Sequence, residues 1–297
     1  MPLSTGDIPA STRWLTSVVE ITRRIKETLE REAGLSVTQY RILLELRTNN
    51  NHLACGTLAT LLFLSPGAVT QAVDYLYHRG YVTRTIMESN RRVTLLAETE
   101  EGVHKLLEAD RALVDMLRRD VWSDLTPQQL ERLVFGCSIS AGPFVGHTLL
   151  HEGVPVEPCY ITCALIQQQC YDRLLAELGL TMSEFRVGLH ALGEPHGLRS
   201  SDFADALLLN RSSTSRAVTA LKRRGILASA ICEDDSRSSL LSLTPAGAET
   251  IRHAFDRMTV LDNSITVADM APKADELNEI NLHINTALRT AAKRDRG

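Results

Sequence analysis

The sequence has no excess of positive charge. Its 32 Lys and Arg residues are outnumbered by 36 Asp and Glu residues, which gives a formal net charge of −4 at pH 7 and a pI near 6.2. This balance excludes a protein that binds nucleic acid simply by being basic overall. Any contact with DNA would need a local concentration of positive charge on an acidic background.

Several other features are missing. The chain has six cysteines but no CxxC pair, no leader-like basic and apolar segment at its start, and no apolar run long enough to span a bilayer. It also lacks a Walker-type phosphate loop, a GxSxG elbow, an HExxH motif and a dinucleotide-binding glycine pattern. We therefore expect a cytoplasmic protein with no enzymatic activity, no cofactor and no membrane contact.

What the chain does contain is an internal repeat. An ungapped offset of 145 residues aligns Gly34–Gly102 (the first repeat) with Gly179–Gly247 (the second repeat), and 20 of these 69 positions are identical. The length of 297 residues already predicts two domains, and the repeat indicates that one domain was duplicated. We predict an N-terminal domain over 1–145, a linker over 146–158 within a stretch containing Gly and Pro, and a C-terminal domain over 159–297.

Hydrophobic spacing and capping signals predict the same elements in both repeats. A long helix is followed by a second helix that begins at a capping box, Ser36 to Gln39 or Thr181 to Glu184, then by a short helix and a further helix that ends at Arg-Gly. Two strands and two more helices complete the unit. In the N-terminal half, the predicted ranges include helices at 12–33 and 55–63 and strands at 81–87 and 92–97. In the C-terminal half, they include helices at 159–178 and 200–208 and strands at 226–232 and 237–243.

A short helix, a tight turn, a second helix and a two-stranded ribbon define a winged helix-turn-helix. The apolar stripe of the second helix, Val69, Ala72, Val73 and Leu76, must face its own domain, so the opposite face points outward. The predicted fold class is mainly α with small β-wings (α+β), as two winged helix-turn-helix lobes joined by a helical pseudo-dimer interface. The outward face of such a helix fits the major groove of duplex DNA, which is about 12 Å wide.

Hydroxyls, Gln and Arg on these outward faces are suited to base edges and phosphates. Asn210–Gly225 holds five basic residues and no acid, whereas the first-repeat wing, Arg84–Arg92, holds three Arg and one Glu. We therefore expect the second repeat to bind DNA mainly through its helix and the first to rely more on its wing. The candidate DNA-binding residues are Ser65, Gly67, Thr70, Gln71, Arg91 and Arg92 in the first repeat and Arg211, Ser212, Ser213, Ser215, Arg216, Thr219 and Arg237 in the second.

The second repeat resembles the MarR (multiple antibiotic resistance regulator) family. The resemblance lies in its helix and wing, LNRSSTSRAVTALKRRGIL at 209–227 and EDDSRSSLLSLTPAG at 233–247. The first repeat resembles the family less closely, since its wing tip reads Asn90-Arg91-Arg92 where the family has Asp-x-Arg. The resemblance implies a transcriptional regulator, most simply a repressor, that binds operator DNA as a single-chain pseudo-dimer and responds to a small aromatic effector.

Two alternatives remain open. The first-repeat helix carries little charge, which would also suit a ligand-sensing or protein-interaction module with a degenerate DNA-binding face. A Cys-based redox- or metal-sensing regulator would use thiolates and imidazoles, which are zinc ligands. We favour ordinary packing for the cysteines, because free cysteine behaves as a small apolar side chain. The residues of this alternative are Cys159, Cys163, Cys170, His147 and His151.

Overall fold

The computed structural model describes residues 7–49, 52–87, 90, 93–134, 156–194, 196–232, 235–265 and 274–295. This part of the chain is mainly helical with two small antiparallel sheets, which agrees with the predicted fold class. The chain forms two compact units. Unit one comprises residues 1–21, 120–136 and 165–297, and unit two comprises 22–119 and 137–164. The first repeat therefore lies in unit two and the second in unit one, while the division at 146–158 remains a prediction.

The first half of the chain contains the predicted elements in order. Helix α1 (Ile8–Thr28) continues as a wider turn over Leu29–Ala33 and stops at Gly34, whose φ of 63° suits a residue without a side chain. The capping boxes predicted at Ser36 and Thr181 are confirmed, and Thr126 and Gln129 form another. The following elements are α2 (Val37–Thr48), β1 (Leu53–Ala54), α3 (Cys55–Leu61), α4 (Pro66–His78), β2 (Val82–Ile86), β3 (Thr94–Glu98), α5 (Glu100–Asp120) and α6 (127–134).

The second half repeats this order, with one correction to its start. Helix α7 begins at Val156, inside the predicted linker, rather than at Cys159. Pro158 suggested a linker, but it lies in the first helical turn, where an N–H has no partner to lose. The remainder of the predicted linker lies outside the described residues. The elements are α7 (Val156–Glu177), α8 (Met182–Leu192), α9 (Ser200–Ala206), α10 (Arg211–Arg223), β4 (Leu227–Cys232), β5 (Asp235–Leu243), α11 (Pro245–Ile265) and α12 (Ala274–Arg294).

The offset of 145 residues also relates the positions of the elements. Helices α3, α4 and α5 each begin and end 145 residues before α9, α10 and α11. The ribbon has the same register in both repeats, because Val82 pairs with Glu98 and Leu227 pairs with Leu243. Leu198 bridges β5 at the position equivalent to β1, which pairs with β3 in the first repeat. The helices and ribbon strands of the first repeat therefore have counterparts in the second, and a single bridge at Leu198 takes the place of β1.

The core of the second repeat determines which face of α10 points outward. Phe185 of α8, Phe203 of α9 and Leu221 of α10 are fully buried in one cluster. Burial of each such side chain contributes about 1.5–3 kcal/mol. Ala217 and Val218 join Leu221 on the buried side of α10, and the apolar stripe predicted for α4 is buried in the same way. The opposite side of each helix does not take part in this core.

None of the described helices is by itself both long and apolar enough to cross a membrane. Helices α3 and α4 reach the required length and hydropathy only when they are taken together, across a bend of 118°. Both helices contribute fully buried residues to the first repeat, Leu58 from α3 and Val69 from α4 among them.

Candidate nucleic-acid interface

The turn between α9 and α10 sets the direction of α10. It contains Leu208 in a left-handed backbone conformation (φ 51°), which is uncommon for a residue with a side chain. Arg186 of α8 is buried and donates a hydrogen bond to the carbonyl of Leu207. Arg289 of α12 donates to the carbonyls of the last two residues of α9, at 2.8 and 2.6 Å. These arginines satisfy carbonyls at a helix end that have no partner within the helix, and so stabilise the turn.

Helix α10 begins at a capped N-terminus. The side-chain oxygen of Asn210 accepts hydrogen bonds from the backbone N–H of Ser213 (2.7 Å) and from the hydroxyl of Ser212 (3.0 Å). The buried hydroxyl of Thr214 donates to the carbonyl of Asn210 (3.1 Å). The N-terminus of a helix favours anions, because its first N–H groups and the helix dipole present positive charge. This end of α10 therefore suits a DNA phosphate.

The predicted DNA-binding residues of α10 lie on its accessible side. Arg211, Ser212, Ser215, Arg216 and Thr219 are exposed, and Ser213 is half-buried. Two depressions flank these residues. One, of about 610 Å³, lies between α9 and the start of α10, and the other, of about 240 Å³, runs along the middle of α10. The second depression is lined by Ser215, Arg216, Thr219, Ala220 and Arg223.

The five basic residues in and just after α10 fall into two groups. Lys222 donates to a hydroxyl of the wing (3.0 Å), and Arg224 donates to the carbonyl of Gly179 (2.7 Å). These two cations therefore make hydrogen bonds within their own repeat. Three others have no carboxylate within ion-pair distance in the part of the chain that the structure describes: Arg211, Arg216 and Arg223. They supply the positive charge that α10 presents to a ligand.

Helix α4 presents the corresponding face of the first repeat. The Ser65 hydroxyl caps the helix by accepting a hydrogen bond from the N–H of Ala68 (3.3 Å). Gly67, Thr70 and Gln71 follow on the exposed side, as predicted. The hydroxyl of Thr70 donates to the carbonyl of residue 66 in its own helix (2.9 Å), which leaves its oxygen available as an acceptor. The four predicted residues of this helix are therefore accessible together at its N-terminal end.

A charge pair that the sequence did not reveal lies farther along α4. Asp74 accepts a hydrogen bond from Arg84 of β2, and the guanidinium carbon of Arg84 lies 4.9 Å from the centre of the Tyr77 ring. One of the three wing arginines is therefore held against the helix of its own repeat. In the second repeat the cation comes instead from the helix, where Lys222 contacts the wing. The residues equivalent to Asp74, Tyr77 and Arg84 are Thr219, Lys222 and Ser229.

The remaining wing candidates are only partly described. Arg91 and Arg92 lie outside the described residues. The backbone of Arg237 belongs to β5, close to a shift in strand register between Ile231 and Cys232, but its side chain also lies outside the description. Their contact with DNA remains a prediction.

The cysteine and histidine candidates are distributed over described and undescribed residues. Cys163 is buried and Cys170 is half-buried. Cys159 lies in α7, but its side chain is outside the description, as are His147 and His151. Within the described ranges, no three His, Cys, Asp or Glu side chains are grouped so that they could hold a metal ion.

A buried polar cluster lies behind the wing of the first repeat. The Tyr40 hydroxyl donates to Asp110 (2.9 Å), and Arg47 lies 4.0 Å from Glu98. Burial raises the pKa of Glu98 to about 7 although Arg47 opposes the shift, and burial raises the pKa of Asp110 to about 6. The second repeat has apolar residues at all four positions: Phe185, Leu192, Leu243 and Phe255.

Comparisons with known proteins found one matching family model and several similar solved structures. The family model described as MarR family matches residues 35–94, from just before α2 to the first residue of β3. The chain is similar to the solved structure of YusO from Bacillus subtilis, with 26% identity over 39% of this chain and 81% of that chain and a TM-score of 0.35. It is also similar to the transcriptional regulator BldR from Sulfolobus solfataricus (28% identity, 37% and 79% coverage, TM-score 0.33). A further similar structure is Sco3205, a MarR family transcriptional regulator from Streptomyces coelicolor in complex with DNA (26% identity, 43% and 80% coverage, TM-score 0.37). Comparison with curated protein sequences found no match.

Proposed function

We propose that this chain regulates transcription by binding double-stranded operator DNA through α4 and α10, because residues 35–94 match the model of the MarR family, whose members are DNA-binding transcriptional regulators. The observation that carries the proposal is the exposed side of α10. It combines hydroxyls with Arg211, Arg216 and Arg223, none of which has a carboxylate partner among the described residues. A genomic target also implies that the protein works in the compartment that holds the genome.

The chemistry of this face suits the major groove. Arginine donates two parallel hydrogen bonds to the O6 and N7 atoms of guanine, and serine or threonine hydroxyls contact bases or phosphates. The capped N-terminus of α10 adds backbone N–H groups for a phosphate. The local basic surface therefore provides what the overall charge of −4 does not.

We further propose that the two repeats read the two half-sites of one operator within a single chain. The support is the correspondence of α3, α4, α5 and the ribbon register across the offset of 145 residues. The recognition faces nevertheless differ, because Gln71 and Asp74 occupy the positions of Arg216 and Thr219. A homodimer must read a palindrome, whereas two different faces in one chain can read unequal half-sites.

The resemblance to the MarR family also supports a repressor whose DNA affinity falls when it binds a small aromatic effector. Such an effector would act by favouring a conformation that does not bind DNA, which requires different affinities for the two conformations. The expected result is that one member of a panel of aromatic acids and phenols weakens operator binding at least about tenfold. Uniformly unchanged affinity across the panel would contradict this part of the proposal.

Binding to promoter DNA at several salt concentrations tests the main proposal. Contacts with Z phosphates release counterions, so the logarithm of the binding constant should fall linearly with log[salt] with a slope near −0.9Z. A footprint on the protected DNA should contain two unequal half-sites. Absent or salt-independent binding would contradict the proposal and would favour the ligand-sensing or protein-interaction alternative.

A further inference from the structure

The first repeat places a carboxylate on the face that α4 presents to DNA. Asp74 lies four residues after Thr70 and three after Gln71, so the three side chains share one side of the helix. The Asp74 side chain is 48% exposed. The equivalent residue of the second repeat is Thr219, an uncharged hydroxyl on a face without acids. The outward faces of the two repeats therefore differ at this position, where the first carries an acid and the second a hydroxyl.

Asp74 is held in place by the wing. Arg84 of β2 donates a hydrogen bond to Oδ1 of Asp74, and its guanidinium lies over the ring of Tyr77. The orientation of the Arg84 guanidinium is fixed by two contacts, a hydrogen bond to the carboxylate and a cation–π contact with the aromatic face. The contact offsets the negative charge of Asp74 and fixes its direction, while Oδ2 keeps its acceptor capacity. A carboxylate with these surroundings differs from a freely rotating surface acid.

A fixed carboxylate in the major groove is selective among bases. It is repelled by phosphates, so it is favourable only where a base offers a hydrogen-bond donor. Cytosine presents its N4 amino group, and Asp and Glu accept from this group in protein–DNA complexes. Adenine presents its N6 amino group next to the N7 acceptor, which repels a carboxylate. Guanine and thymine present acceptors at the corresponding positions.

We propose that Asp74 is a specificity-determining residue that accepts a hydrogen bond from a cytosine in the half-site bound by the first repeat. Arg84 and Tyr77 are positioning residues, since they act through Asp74. The inference rests on the proposed DNA-binding function and deepens it by naming a base that one half-site requires. It also assigns a role to a helix that has little positive charge.

The experiment uses the full-length chain and a duplex obtained by selection from a randomised library. Each base pair of that duplex is then substituted in turn, and binding is measured by fluorescence anisotropy. The wild-type chain should show a preference of about 5- to 100-fold for a C·G pair at one position of one half-site. Asp74→Thr, which introduces the residue of the second repeat, should reduce this preference to about twofold or less and leave the other positions unchanged. Asp74→Asn should shift the preference to adenine, because an amide pairs with N6 and N7.

Arg84→Gln tests the positioning role. It should weaken the cytosine preference at the same base pair while the thermal unfolding midpoint changes little, since the ion pair with Asp74 is exposed. A loss of affinity for all sequences with an unchanged cytosine preference would mean that Arg84 only contacts phosphate, and would overturn its positioning role.

Three results would overturn the role of Asp74. If Asp74→Thr tightens binding to every duplex equally, the carboxylate only repels phosphates. If the variant changes neither affinity nor preference while Arg216→Ala still weakens binding, the first repeat makes no base contact through Asp74 but the proposed function stands. If the wild-type chain binds no duplex at all, both the proposed function and this inference fail.

Discussion

At the residue scale, two neighbouring arginines at the end of α10 have different surroundings. Arg223 is exposed and belongs to the face proposed to bind DNA. Arg224 donates to the carbonyl of Gly179 (2.7 Å) and lies 3.7 Å from Glu184 of α8. It therefore connects the end of the recognition helix to the start of another helix in the same repeat.

Because of this difference, alanine substitutions at the two arginines should affect different properties, stability in one case and DNA binding in the other. Arg224→Ala should lower the free energy of unfolding by about 1 kcal/mol, because a charge-assisted hydrogen bond is lost at a partly exposed site. Arg223→Ala should leave unfolding unchanged but weaken DNA binding and reduce the steepness of its salt dependence by about one phosphate contact. Chemical denaturation and a salt series measure the two effects. Equal destabilisation by both variants would show that this distinction is wrong.

The two recognition helices should also differ in their contribution to affinity. Arg216→Ala removes a cation from the exposed face of α10, whereas Gln71→Ala removes a neutral side chain at the equivalent position of α4. We expect Arg216→Ala to weaken operator binding about 10- to 100-fold and Gln71→Ala by less than about fivefold. Arg252→Ala, on the exposed side of α11, is a matched control. Comparable losses for Arg216 and Gln71 would contradict the expected division between the repeats.

Single residues show where reasoning from the repeat stops. Arg79 and Arg224 are identical at the offset of 145, which suggests one shared role. In the structure, however, Arg79 lies over the ring of Tyr75 (5.3 Å), and the hydroxyl of Tyr75, rather than Arg79, donates to the carbonyl of Gly34 (3.1 Å). The carbonyls of Gly34 and Gly179 occupy equivalent positions, but they accept hydrogen bonds from different residues. An alignment compares positions, whereas a hydrogen bond depends on which nearby side chain reaches the acceptor.

At the element scale, local rules predicted most of the fold. Caps at Ser65 and Asn210 satisfy the first N–H groups of α4 and α10, and the apolar stripes of both helices are buried as expected. The start of α7 was predicted too late, because proline is common both in linkers and in the first turn of a helix. The assignment of residues 1–21 to the same unit as the second repeat was also not predictable, since hydrophobic spacing shows that a helix buries a face but not against which partner.

The buried polar cluster of the first repeat predicts that the stability of this repeat depends on pH. The folded state raises the pKa of Glu98 to about 7 from its ordinary value of 4.5, so it binds more protons than the unfolded state between these values. The stabilisation is complete below pH 4.5 and is lost as the pH rises through 7. Glu98→Gln keeps the shape and removes the titration. The difference in unfolding free energy should favour the variant by roughly 2–3 kcal/mol more at pH 8 than at pH 5.

Thermal and denaturant unfolding of wild type and variant at both pH values measure this difference. Glu101→Gln, an exposed substitution at the start of α5, should shift stability equally at pH 5 and pH 8. A pH-independent effect of Glu98→Gln would show that this carboxylate does not titrate in the range inferred from its burial.

At the scale of the whole molecule, the net charge of −4 averages over surfaces that differ strongly. The exposed side of α10 is basic, whereas α4 carries Asp74 on the corresponding side. In a homodimer such a difference cannot arise, because both recognition helices have one sequence. In a single chain with two repeats, each face can change independently. The two half-sites of the proposed operator should therefore differ in sequence.

This asymmetry leads to a prediction about operator symmetry and stoichiometry. One chain should bind one natural operator, and two artificial palindromes, each built from two copies of one natural half-site, should bind more weakly, by about 10-fold or more. The reason is that each palindrome presents at least one recognition helix with bases that it does not read, at a cost of about 1–3 kcal/mol for each mismatched pair. Mass measurement of the complexes gives the stoichiometry, and competition between the three duplexes gives the preference. A palindrome bound as tightly as the natural operator, with two chains on the duplex, would mean that the protein assembles like an ordinary homodimer and that the two repeats do not share one operator.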